Sequence, residues 1–394
     1  MKKTLAAVAV LGALAGSAMA AEVTLYGVID TGLNWTQTKG SGFADATKNV
    51  TKDSFSMGSG QDSGPRFGLK GTEDLGDGWK VGFNLENSFK SDTGALESAE
   101  DGGRLFHREA LLFVQSPYGE LSMGRTGALD AGTGRYNLMG SGATAMGTGM
   151  DLIGKSTLIL KGTGSRMDNT VTYQSPSFAG LTVYAQASLK KDSCDPARAE
   201  YEDAAKVDYE EGSSDAERYY ALGAKFSAEG LNAGLVFSTT DYSRNDVTKA
   251  NDDNGYVVSG FVNYDFGMVK PMLAAQYWNG GDKLTHTKKV VNNVTTYTDD
   301  AKGTEGYGIV IGATAPVLGG TLKVTGGWND FEDTADNSST DYNNWMIGAG
   351  YEYKISKRTM IYTAAGYSEA KTKKTTATTK TKTTEVMAGL VHTF

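Results

Sequence analysis

The sequence predicts an all-β fold: a 16-stranded antiparallel transmembrane β-barrel with its third external loop folded into the lumen. Three observations predict it. Segments of about ten residues alternate in apolarity, the length a tilted barrel strand needs. Connectors alternate between short and long. The mean hydropathy is −0.35, and past the first twenty residues no run approaches the roughly 18 apolar residues of a spanning helix.

Four segments carry the alternation most clearly. Trp79, Val81, Phe83 and Leu85 oppose Lys80, Gly82, Asn84 and Glu86. Leu181, Val183, Ala185, Ala187 and Leu189 oppose Thr182, Tyr184, Gln186, Ser188 and Lys190. Tyr220, Leu222, Ala224 and Phe226 oppose Ala221, Gly223 and Lys225. Trp345, Ile347, Ala349 and Tyr351 oppose Met346, Gly348, Gly350 and Glu352. Period two is the signature of a strand with unlike faces, and a barrel shows only one face to lipid.

Short connectors include Gly76-Asp77-Gly78, Pro117-Tyr118-Gly119, Ala228-Glu229-Gly230 and Ser356-Lys357. Eight long ones are expected at 36–62, 90–103, 126–165, 191–216, 241–253, 280–303, 331–341 and 370–383. Eight long loops give sixteen strands and bring both chain ends to the short-turn side. A soluble β-sandwich also alternates, but does not need strands of this length in such number.

The two ends fit an exported barrel. Met1-Lys2-Lys3, the apolar Leu5–Ala15 run and Ala18-Met19-Ala20 read as a signal peptide over residues 1–20. The barrel domain is then 21–394. At the other end Val386, Ala388, Leu390, His392 and Phe394 share one face, and a final strand closing on an aromatic resembles the assembly signal of bacterial outer-membrane barrels.

Composition excludes other classes. The formal charge of −8 becomes −10 without Lys2 and Lys3, so no nucleic-acid partner is expected. Cys194 is the single cysteine; it makes no internal disulfide and reads as an incidental loop thiol. No cofactor or metal is expected. The acids of 191–216 lack an ordered oxygen-ligand spacing. With His107, His286 and His392 the only histidines, and no nucleophile elbow, zinc-protease or phosphate-loop motif, an enzyme is not expected.

The 126–165 segment is unlike the other long connectors. It is apolar, with Leu138, Met139, Met146, Leu152, Ile153, Leu158, Ile159 and Leu160. An apolar loop of this length packs against something, and the inner wall of a wide barrel offers the surface. A constriction loop is therefore expected; the bland alternative lays it on a neighbouring subunit. The Lys371–Thr384 run reads most simply as a solvated loop.

Val23–Gly27, Phe67–Gly76, Ser116–Leu121, Val171–Pro176, Tyr353–Thr359 and the final Leu390–Phe394 occur in an order specific to one family. The chain resembles the trimeric general-diffusion porins of Gram-negative bacteria, in particular the neisserial and β-proteobacterial branch. The resemblance implies a channel for small hydrophilic solutes in the outer membrane, a homotrimer, and contact with outer-membrane lipid, lipopolysaccharide and the barrel-assembly machinery. It also implies wall arginines facing an in-folded loop. The matching wall residues are Arg66, Arg108 and Arg166, with Lys70 on the face of Arg66.

Alternation puts Arg66 with Gly68 and Lys70, opposite Phe67 and Leu69. It puts Arg166 with Asp168, Thr170 and Thr172, opposite Met167, Val171 and Tyr173. Arg108 shares its face with Leu112 and Val114, which the folded loop must cover if Arg108 lines the pore. Within the loop, Asp130 and Asp151 stand against Arg135, Lys155 and Lys161, so the usual acidic cluster is thin. Basic rings favour anions, and an anion preference is expected despite the negative total. The alternative for the arginines is pairing with Asp30, Glu86 or Glu109 to stiffen the wall. A substrate-specific channel, with Tyr26, Tyr136 or Tyr184 along the lumen, and a surface adhesin are the rival functions.

Overall fold

The computed structural model describes residues 23–41, 49–97, 104–146, 156–160, 166–191, 211, 216–241, 254–281, 287–291, 294–298, 303–334, 340–374 and 377–394. The expected signal peptide, Asp151, Lys155, Lys161, Cys194 and most of 191–216 lie outside them.

In chain order the strands are β1 (Thr24–Ser41), β2 (Asn49–Ser59), β3 (Arg66–Gly76), β4 (Trp79–Ser88), β5 (Glu109–Ser116), β6 (Gly119–Gly127), β7 (Arg166–Gln174), β8 (Leu181–Ser188), β9 (Arg218–Ala228) and β10 (Leu231–Asp241). There follow β11 (Gly255–Tyr264), β12 (Lys270–Gly281), β13 (Thr287–Val291), β14 (Val294–Thr298), β15 (Thr304–Val317), β16 (Gly320–Asp333), β17 (Asp341–Lys354), β18 (Thr359–Lys374) and β19 (Ala377–Thr393). Two single turns, α1 (Gly140–Ala143) and α2 (Ser156–Ile159), lie between β6 and β7.

Every pairing is antiparallel, and the sheet closes where β1 meets β19, from Val28 beside Thr393 to Gly40 beside Thr381. The other edge of β1 is shared. Its outer part pairs with β2 (Thr31 beside Ser59), its inner part with β3 (Thr24 beside Lys70). Thus β2 and β3 are two halves of one wall strand, and sixteen strands complete the ring; β13 and β14 form a separate hairpin. Closure leaves no free sheet edge, which a membrane-embedded backbone requires.

The short turns explain themselves. Asp77-Gly78, Ala179-Gly180, Glu229-Gly230 and Leu318-Gly319 all have positive φ at both positions. That is the two-residue hairpin turn whose twist matches its strands. Thr24 and Phe394 lie at this same end of the ring.

Exposure follows the alternation. Leu222, Leu235, Ile311 and Ile347 are exposed large apolar residues, whereas their chain neighbours Ala221, Val236, Val310 and Met346 are buried. The exposed set is the lipid band. The buried set packs against Ala128, Leu129, Leu138, Met139, Ala143, Ile159 and Leu160 of the β6–β7 connector. These described residues of the connector therefore lie against the wall face opposite the lipid band. Backbone carbonyls hold them there: Asn263 Nδ2 donates to Gly142 O at 2.8 Å, and Asn329 Nδ2 to Leu158 O at 2.8 Å.

Four expectations need correction. Residues 36–41 and 49–59 are not loop but a tall β1–β2 hairpin, because its β-branched and aromatic residues sustain pairing. Lys371–Thr384 is likewise paired strand at both sides of residues 375–376, since Thr alternating with Lys suits a strand with one wet face. The 280–303 connector contains β13 and β14. Lastly, Met167 is 1% exposed and packs in the loop cluster, against the sequence reading of its face. Asn169 has φ 52 and the β6–β7 register slips between Gly124 and Thr126. Such a bulge resets the alternation.

Candidate functional site: the basic wall of the lumen

The first wall strands carry the polar site. Gly68 pairs with Glu86, and Glu86 with Glu109, which places these positions on one inner face across β3, β4 and β5. Arg66, one turn of the pleat above Gly68, donates from Nη1 to Gly64 O at 2.8 Å, and its Nε stands 3.5 Å from Glu86 Oε2. Arg108 Nε donates to Glu86 Oε1 at 2.6 Å. Tyr26, whose ring lies over Gly68, donates its hydroxyl to Glu86 Oε2 at 3.0 Å. Lys70 Nζ lies 5.1 Å from the centre of the same ring. Arg166 stands within electrostatic reach of Arg108, Glu86, Glu109 and Arg125. Arg66, Arg108 and Arg166 are thus brought together, with Glu86 between the first two.

Arg108 reaches this face for a reason the alternation did not reveal. It precedes β5, so strand parity does not bind it. Leu112 is 57% exposed, and no covering by the loop is needed.

The β6–β7 connector is pinned beside this wall. Arg135 holds Glu120 bidentately, Nε to Oε1 at 2.6 Å and Nη2 to Oε2 at 2.7 Å, over the ring of Phe113 at 3.8 Å. Tyr136 donates to Glu120 Oε1 or Ser122 Oγ, and packs edge-on against Tyr184. Glu109 Oε1 accepts the backbone N–H of Arg135 at 2.6 Å and the Thr126 hydroxyl at 2.9 Å. Asp130 does not face the arginines. It is 1% exposed and accepts from Tyr219 at 3.0 Å and Ser238 at 2.6 Å. Burial pulls the Arg135 pKa down, but hydrogen bonds to Glu120 outweigh it and leave the guanidinium above its ordinary value.

Three features escaped the sequence reading. Residues 60–65 interrupt the wall strand and turn inward. Asp30 Oδ2 accepts the backbone N–H groups of Asp62 and Ser63 at 2.7 and 2.8 Å. Asp62 is thereby carried to the Lys323–Glu352 ion pair. The Gly60-Gln61-Asp62-Ser63-Gly64-Pro65 cluster is the available signal, and the expected external loop, 36–62, ends inside it. Second, Arg104 and Arg125 share the Asp168 carboxylate at 2.8 and 2.6 Å. Third, Glu120 anchors the connector.

At the seam, Phe394 exchanges backbone hydrogen bonds with Gly27, both 3.1 Å. His392 Nδ1 lies 3.0 Å from Thr359 Oγ1. Leu390 is 47% exposed, in the lipid band.

Residues 6–373 match the family model described as Gram-negative porin. The chain is 31% identical over 417 residues to an outer membrane porin protein of Bordetella pertussis, covering all of both chains. It is 26% identical to the major outer membrane protein P.IB of Neisseria meningitidis, over 93% of each. Among solved structures it superposes on an anion-selective porin from Comamonas acidovorans with a TM-score of 0.61 and 22% identity, over 95% of this chain and 100% of that one.

Proposed function

The chain belongs to the Gram-negative porins, outer-membrane channels for passive diffusion, and we propose that its channel prefers anions because of the Arg66–Arg108–Arg166 wall. The observation that carries this is charge balance. Three guanidiniums and Lys70 stand against Glu86 and Glu109, while Arg135 and Glu120 cancel each other. A confined basic surplus sets a positive local potential. The opposing Asp62–Lys323–Glu352 group moderates it, so the preference is weak to moderate.

The β6–β7 connector, residues 126–165, serves as the constriction loop in this reading, and the unit is a homotrimer exported by residues 1–20. It works with the barrel-assembly machinery and sits among outer-membrane lipid and lipopolysaccharide; it has no catalytic role. Tyr136 and Tyr184 are turned into buried contacts, which favours general diffusion over an aromatic-lined specific channel.

The test is a planar bilayer under a salt gradient, comparing the wild type with Arg66→Ala/Arg166→Ala. The expected result is large ohmic steps in threes, an anion-side reversal potential and its loss in the variant. Cation-side reversal unchanged by the variant overturns the arginine mechanism.

A further inference from the structure

The inward turn at residues 60–65 crosses the seam of the barrel. It leaves the wall between β2 and β3, yet its Asp62 carboxyl reaches Glu352 of β17 and Lys323 of β16, with β1, β19 and β18 in between. Two glycines clear the way. Gly32 and Gly389 are register neighbours on β1 and β19, Gly389 is beside Tyr362 on β18, and Tyr362 is beside Glu352. A Cβ on Gly32 would fall into the Gln61 side chain, and one on Gly389 into the Tyr362 ring. Gln61 and Tyr362 therefore lie flat over the seam. The Tyr362 hydroxyl donates to Asp30 Oδ1 at 2.8 Å, while the N–H groups of Asp62 and Ser63 fill Oδ2. At the base of the turn, Arg66 Nη1 donates to Ser63 Oγ at 3.2 Å.

At the tip of the turn, ion pairing alone does not satisfy the acids. Lys323 Nζ is bonded to Glu352 Oε1, and the Asp62 carboxyl stands within hydrogen-bond reach of the same Glu352 side chain. Two ionised carboxylates have no hydrogen to place between them, so one of a facing pair keeps its proton. The charged and titratable groups around Asp62 are Glu352, Lys323 and Asp30, with Tyr362 over Asp30 and Arg66 at the base. Asp62 sits on the turn, outside the spanning strands. Burial, and then Glu352, raise its carboxyl above the usual carboxylate range against the pull of Lys323. Lys323 and Glu352 share the inner faces of Asn329 and Met346, which contact the connector. All three members are partly exposed, so the proton exchanges with lumen water.

We propose that Asp62 and Glu352 hold a single proton between them, and that its release on raising the pH weakens the anion preference of the channel. The proposal rests on the anion-preferring reading of the arginine wall and adds a second pair of specificity-determining residues to it. With the proton, Asp62, Glu352 and Lys323 sum to zero; without it they sum to minus one. The surplus of Arg66, Arg108, Arg166 and Lys70 over Glu86 and Glu109 then falls from two charges to one.

The test is the reversal potential of the full-length protein in planar bilayers under a low-salt gradient. It is read from about pH 5.5 to about pH 9, where ordinary carboxyls stay ionised. Wild type should lose about fourfold in anion-over-cation permeability across the range, as a unit charge roughly 10 Å from the ion path acts with opposite sign on the two ions. Asp62→Asn and Glu352→Gln each leave one acid against Lys323. Both should show no step and stay at the high ratio that wild type has in acid. Lys323→Met should move the step to higher pH, because the cation that favours the ionised pair is gone. The heat-modifiable folded form checks that each barrel has closed. Infrared difference spectra between the two pH limits read the same proton without current: wild type should lose a protonated-carboxyl band that both acid variants lack. A step of wild-type size in both acid variants overturns the proposal, as does a wild-type ratio that ignores pH. The two readings fail separately. A preference that ignores pH but vanishes in Arg66→Ala/Arg166→Ala sinks the carboxyl pair and leaves the arginine wall. A step that Asp62→Asn abolishes, in a channel whose preference survives Arg66→Ala/Arg166→Ala, supports the pair and sinks the wall.

Discussion

Arg108 and Glu86 are joined across the β4–β5 edge at 2.6 Å, and the second oxygen of that carboxylate faces Arg66 Nε at 3.5 Å. Glu86 thus holds the two guanidiniums together, and in the proposed anion-preferring channel it is the residue that offsets their charge. Both readings of the arginines drawn from sequence, a pore potential and a stiffened wall, meet at this residue.

Neutralising Glu86 separates them. Glu86→Gln keeps the shape and removes one negative charge. At about 8 Å in water-like surroundings a unit charge is worth ~0.5 kcal/mol. The anion loses that repulsion and the cation that attraction, so the anion-over-cation permeability ratio should rise about fivefold, read from reversal potentials in a salt gradient. A ratio that falls would mean that the carboxylate's main part is positional, its loss letting the arginines leave the lumen.

Asp130 should matter for the loop and not for selectivity. Asp130→Ala leaves the hydroxyls of Tyr219 and Ser238 without their buried acceptor, a cost of roughly 1–3 kcal/mol. Protease cleavage within 126–165 should appear in the variant, with noisier single-channel current and an unchanged reversal potential. A shift in reversal potential with quiet current would instead place Asp130 in the ion path.

Much of this was legible because barrel strands write their two faces at period two. The Trp79, Leu181, Tyr220 and Trp345 segments all face as the alternation requires, and Leu138, Met139, Ile159 and Leu160, among the described residues of 126–165, are packed as apolar side chains must be. What was illegible lies where parity breaks. Arg108 sits before its strand, Asn169 resets the face of Met167 through a bulge, and residues 60–65 turn inward inside a wall strand. Each is a backbone event of one to six residues, decided by tertiary pairing. The Lys/Thr tract was misread for another reason: hydrophilicity marks a wet face, and a wet face can be strand.

Face assignment has a direct test on β5. Leu112 is 57% exposed between the buried Leu111 and Phe113. An arginine at a lipid-facing midplane position costs about 2–4 kcal/mol. Leu112→Arg should lower the urea midpoint of folding into lipid vesicles. Thr72→Arg, on the inner face of β3 with Lys70, should leave it close to wild type. If both variants unfold alike, the two faces are not distinguished by lipid, and the exposed band has been misassigned.

The seam makes the last prediction. Gly27 and Phe394 exchange both backbone hydrogen bonds at 3.1 Å, and a Cβ built on Gly27 falls into the Phe394 ring and against the Arg66 carbonyl. A methyl group there cannot be accommodated without moving the terminal ring, which lies across the join that closes the barrel. Gly27→Ala should therefore cut the yield of the heat-modifiable folded form on refolding. Phe394→Ala removes the ring while keeping the backbone bonds, so the added cost of Gly27→Ala should be smaller in that background. Residues in contact show such non-additivity, on the order of 0.5–3 kcal/mol. Strict additivity across the four proteins would mean that the Arg66 backbone alone sets the need for glycine, and the terminal aromatic would then contribute nothing to closure at this position.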